Sequence, residues 1–172
     1  EAAREESLQT IGQMNEEKKD GAKIILTGCM VQTHAKDIKE HFPDIDYLLG
    51  SGDVEGILGA IESKGKGRQI TSARSYLEAG EIPRTISTPS HYAYLKIAEG
   101  CRKKCAYCII PQIKGPLKSK SVEQIVKEFR TLRASGANEI ILIAQDLGDW
   151  GKDHGFKRSA GLIKVLEILL KE

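Results

Sequence analysis

The sequence predicts an α/β fold in two parts. A doubly wound parallel layer comes first, and the start of a parallel barrel or open α/β sheet follows it. Three observations predict this. Short apolar runs at 23–27 (KIILT), 92–98 (YAYLKIA) and 139–144 (EIILIA) have the length and composition of buried strands. Segments between and after them carry apolar residues three and four apart, the mark of one helical face. The two kinds of segment alternate along the chain, as in parallel α/β layers.

Each element follows from its residues. Residues 2–19 read as a helix with a narrow stripe of Ala3, Leu8, Ile11 and Met14, stopped near Gly21. The run 23–27 reads as a buried strand ending in Gly28 and Cys29, and 33–42 as a helix closed by Pro43. Residues 46–49 suggest a second strand, and 54–63 a helix with Ile57, Leu58 and Ile61 on its apolar face. This first domain is taken as 1–63. Residues 64–90 are rich in Gly, Ser, Thr and Pro with no sustained period and read as a linker, although Tyr76, Leu77, Ile82 and Ile86 can pack. The second domain, 91–172, opens with the strand 92–98 and a long loop, 99–120. Ser121 and Gln124 form a capping box for a helix that Gly136 ends. The strand 139–144, a polar loop at 145–158 and an amphipathic helix at 160–171 complete two βα units.

Composition narrows the function. The chain has 172 residues, 26 basic and 24 acidic, for a net charge of +2. That excludes binding nucleic acid by bulk charge alone, and no apolar run is long enough to span a membrane. The opening EAAREESLQT has neither an initiator Met nor an apolar signal segment and reads as the interior of a longer protein. The four cysteines, Cys29, Cys101, Cys105 and Cys108, are too few for a disulfide scaffold. Three lie within eight residues, which favours metal ligation in a reducing, cytoplasmic compartment.

That cluster, C-x3-C-x2-C, sits on the loop after a strand. Three thiolates can hold three irons of a [4Fe–4S] cube and leave the fourth iron open to a ligand. Sites that serve electron transfer alone usually bring four cysteines. A tetrahedral zinc completed by His91 or Cys29 is the other reading of the same residues. Between 101 and 120 lie Arg102, Lys103, Lys104, Lys114, Lys118 and Lys120, with no acid. They suit an anionic cluster, an acidic ligand or plain solvation.

The triad with Tyr107 before its last cysteine resembles the signature of the radical S-adenosylmethionine (SAM) superfamily. The segment YLKIAEGCRKKCAYCIIPQIKGPLKSKSVEQIV, 94–126, and the block KIILTGCMVQ…FPDIDYLLGSGDVEGIL, 23–58, resemble the methylthiotransferase branch. The resemblance implies the end of a doubly wound α/β methylthiotransferase N-terminal domain, followed by the first two βα units of a radical SAM partial (β/α) barrel. It implies that Cys101, Cys105 and Cys108 ligate the SAM-cleaving cluster and that Cys29 is one of three ligands of an auxiliary [4Fe–4S] cluster. Tyr107, Gln145 and Asp146 become cofactor-binding positions, with Asp146 near the methionine end of SAM. No catalytic residue is implied beyond the ligands. Gln145-Asp146 and the lead-in TISTPSHYAYLKIAEGC resemble the branch that modifies an aspartate of a small-subunit ribosomal protein. The other branch, acting on a transfer-RNA adenosine, tends to have Gln-Asn. The chain departs from the pattern at Lys120, Leu147 and Trp150. The implied partner is the ribosomal protein, with the sulfur donor and the reductant unnamed and direct nucleic-acid binding left open. The 172 residues are expected to lack full turnover by themselves.

Overall fold

A computed structural model describes residues 2–53, 55–63, 69–70, 77, 85–87 and 89–172. The chain divides into two compact units: the residues up to 76 together with Gln112–Lys114, and the remainder.

The first unit is a parallel three-stranded sheet of order β1-β2-β3: β1 (Ile25–Thr27), β2 (Tyr47–Leu49) and β3 (Gln69–Ile70). Ile25 pairs with Tyr47 and Leu48 with Gln69. The helices are α1 (Ala2–Glu16), α2 (Cys29–His41) and α3 (Gly56–Glu62). Its core is Val31, Ala35, Ile38 and Leu48, with Leu26, Met30 and Ile45 packed against it. The α2 residues recur three or four apart, so one face meets the sheet.

Several expectations change here. The helix after β1 begins at Cys29, not at 33, and bends at His34. β1 is half-buried at Ile25 and Leu26 and exposed at Thr27. Met14, expected on the apolar stripe of α1, is exposed, and Ile11 is that helix's buried residue. In α3 the buried residue is Ala60, while Leu58 and Ile61 face solvent. At about 100° per residue, turning position 60 inward turns position 58 outward. Lys23 caps this helix, its Nζ donating to Ile61 O at 2.7 Å. β3 lies inside the stretch read as a linker, and a two-residue strand gives no periodic signal. Of the linker residues expected to pack, Tyr76 and Ile82 lie outside the described residues, and Ile86 is exposed.

The second unit holds β4 (Tyr92–Lys96) and β7 (Glu139–Ile143), paired in parallel from Tyr92 against Glu139 to Lys96 against Ile143. His91 O fixes the register by accepting from Asn138 N at 2.8 Å and Glu139 N at 3.0 Å. The single strand expected over 92–98 is broken at Ile97. Its N–H donates to Ile143 O at 3.0 Å, while its C=O accepts from Lys120 N at 2.8 Å. Beyond it β5 (Ala98–Glu99) pairs antiparallel with β6 (Lys118–Ser119). The loop between them also carries α4 (Ile110–Lys114).

Helix α5 (Val122–Ala134) has both bonds of the expected capping box: Gln124 N to Ser121 Oγ at 3.2 Å and Ser121 N to Gln124 Oε1 at 2.9 Å. Helix α6 (Ala160–Leu169) buries Val165 and Leu169 but leaves Leu166 exposed. The core gathers Leu95, Ile97, Ile125, Leu132, Trp150, Val165 and Leu169. Between β7 and α6, 3-10 turns at Leu147–Asp149 and Lys152–His154 frame the fully buried Trp150. No helix among the described residues is long and apolar enough to cross a membrane.

Candidate functional site

The cysteine loop is an excursion with a closed base. It leaves β5 at Gly100 and returns to β6 past Gly115, and Cys101 N donates to Gly115 O at 3.2 Å. Gly100 has φ +76°, and a Cβ there would stand 2.1 Å from Pro116 O. The two arms therefore approach as closely as only glycine permits. Glu99, fully buried just before the loop, bonds Lys96 Nζ at 2.9 Å. A buried carboxylate needs such a partner.

On the loop all three cysteines are free thiols, Cys101 and Cys108 half-buried and Cys105 exposed. Cys108 N donates to Cys105 O at 3.1 Å, which turns the chain between the second and third cysteine. Lys103 N donates to Cys101 Sγ at 3.4 Å, a bond of the kind that tunes cluster sulfurs. Tyr107 is 91% exposed. Such exposure leaves the ring open to a ligand or to solvent.

Across from this loop, residues 145 and 146 follow β7. Gln145 is exposed and Asp146 half-buried. Lys103 Nζ pairs with Asp146 Oδ2. The Lys103 ammonium, opposed by the carboxyl's partial burial and aided by the Gly148 N–H, holds Asp146 below the usual carboxylate range. Asp146 in turn raises Lys103. The same loop is also fastened to β6, Ser119 N donating to Asp153 Oδ2 at 2.8 Å and Gly151 N to Ser119 Oγ at 2.9 Å.

Cys101, Cys105 and Cys108 thus share one loop, and Asp146 is joined to that loop. Cys29 is an exposed thiol at the first residue of α2, in the first unit, after Gly28 at φ +113°. Among the described residues no three or more His, Cys, Asp or Glu side chains are arranged to hold a single metal ion. A [4Fe–4S] cube asks for three thiolates, each for a separate iron. The donor set fits it, with soft sulfur ligands, an N–H on one sulfur and cationic neighbours at Arg102, Lys103 and Lys104.

Sequence reasoning treated Lys103 as one of six basic residues and did not find its tie to Asp146. It also missed the Ser119–Asp153 fastening. Both join residues more than thirty positions apart, and neither leaves a local spacing to read.

Comparison with known proteins gives two domain matches in order. Residues 1–50 match the uncharacterized protein family UPF0004, and residues 95–163 the Radical SAM superfamily. Over 171 residues, 99% of the chain, it is 63% identical to "Ribosomal protein uS12 methylthiotransferase RimO" of Protochlamydia amoebophila. It is 62% identical to the protein of that name from Chlamydia felis, again over 99% of the chain. The namesake from Syntrophotalea carbinolica is 43% identical over 95% of the chain. The chain spans 36%, 37% and 37% of the length of these three relatives. Matched almost end to end at such identity, and carrying both domain matches, the chain belongs to the radical SAM methylthiotransferase family.

Proposed function

We propose that the chain is part of an enzyme that adds a methylthio group to the β-carbon of an aspartate in ribosomal protein uS12. The observation that carries the substrate is the name shared by relatives 57–63% identical over 99% of the chain. Gln145-Asp146 after β7 agrees with it.

In this reading Cys101, Cys105 and Cys108 hold a [4Fe–4S] cluster, and Cys29 contributes one ligand to a second, auxiliary cluster. The cluster and SAM together supply reductive cleavage of the sulfonium, and so a radical able to take hydrogen from an unactivated C–H. The chain's own residues bind and orient. The N–H of Lys103 steadies the Cys101 sulfur. Asp146, kept ionised, is a charge-assisted acceptor for the ammonium of SAM. Gln145 and Tyr107 are exposed beside these groups and offer an amide and an aromatic face to the cofactor. The reading places the enzyme in the reducing cytoplasm, where thiolates persist.

The test is an anaerobic assay of a protein of the relatives' full length containing this chain, supplied with SAM, reductant and either uS12 or transfer RNA. One methylthio group on a uS12 aspartate is expected. Modification of the RNA alone overturns the substrate, and modification of neither overturns the activity.

A further inference from the structure

We propose that Lys103 is a positioning residue, a latch that holds the cysteine loop to the carboxyl end of β7 through Asp146. The base of the loop is fixed by β5, β6 and the Cys101–Gly115 bond. Its tip is not comparably packed: Arg102, Lys103, Lys104, Cys105, Ala106 and Tyr107 are all exposed. Lys103 gives that tip a charged bond to a residue 43 positions away.

The far end of the bond is firm. Asp146 lies three residues beyond the end of a strand paired over five residues with β4. Its carbonyl accepts from Asp149 N at 3.2 Å, closing a turn, and its loop is stitched to β6 through Ser119. Lys103 stands between the first and second cysteines and is also bonded to the first through its N–H. Fixing its ammonium therefore limits the positions open to both sulfurs. A loop ordered before metal arrives has less conformational freedom to lose when it captures iron. This consequence for iron rests on the three cysteines being cluster ligands. The latch itself does not.

Amide hydrogen exchange of the metal-free 172-residue chain tests the latch. Lys103→Met and Asp146→Asn are each expected to speed exchange at 101–108 by about two- to fivefold, the range for a partly exposed ion pair. The double variant should be no faster than either single one, and Lys103→Arg should restore the slow rate. About 1 M salt should shrink the difference. Exchange in α5 and β7 should stay unchanged, which separates latch loss from unfolding. Wild-type rates in both single variants, or additive effects in the double variant, would overturn the proposal. Reconstitution with limiting iron supplies the second readout: Lys103→Met should need more iron than wild type to load fully. If wild type loads no iron, the ligand reading fails, and the exchange result still decides the latch.

Discussion

Gly100 shows how much one residue decides. Its φ of +76° and the 2.1 Å separation of a would-be Cβ from Pro116 O leave no room for a side chain. Gly100→Ala is expected to destabilise the protein by at least about 1–2 kcal/mol, from left-handed strain alone, before the clash with backbone is added. Gly59, in α3, has nothing within 4 Å of its would-be Cβ. Gly59→Ala should be neutral or stabilising by up to about 1 kcal/mol. Urea unfolding of the two variants checks the contrast. Three cysteines and a tyrosine were legible because their spacing on one loop is itself the signal. The partner of Lys103 was not, because an ion pair between two loops depends on where both strands end, and neither residue announces the other.

At the scale of the element, caps were the most legible feature and faces the least. Ser121 and Gln124 identify the start of α5 without tertiary information, since the bonds they make are local. Ser121→Ala is expected to cost about 1 kcal/mol. Glu123, in the first turn, is held below the usual carboxylate range by its own backbone N–H and by the Ser121 hydroxyl. A carboxyl depressed in the folded state adds stability above its unfolded value and loses it as pH falls through the folded one. Acid unfolding curves should therefore show Glu123→Gln less stable than wild type near neutrality, with the gap closing once the folded carboxyl is protonated. The faces of α1 and α3 were misread because periodicity fixes which residues lie on one side and not what lies opposite. With one residue buried in each, Ile11 and Ala60, the apolar neighbours Met14, Leu58 and Ile61 stay in water. β3 escaped notice because two residues carry no alternation.

For the whole molecule, alternation of strands and helices was enough to predict two parallel α/β parts, and the structure has both. Where the strand after the linker divides at Ile97 was hidden, since a backbone that shares its bonds between two sheets needs no special residue. The second unit is organised around the fully buried Leu95 and Trp150. Leu95→Ala should cost about 2–5 kcal/mol of stability in denaturant unfolding, as for a large-to-small change in a packed core. Trp150, in a loop that the sequence reads as polar, anchors 147–156 and packs against Phe156 of the same loop. The order of that loop keeps Asp146 within reach of Lys103. Whether Cys101, Cys105 and Cys108 form an open-cornered cluster site is decided by anaerobic reconstitution of the chain with iron and sulfide, with metal counts and a visible spectrum taken before and after SAM. About four irons per chain, loss of that iron in Cys105→Ala, and a spectrum that SAM perturbs are expected. One zinc per chain, without colour and indifferent to SAM, would contradict such a site.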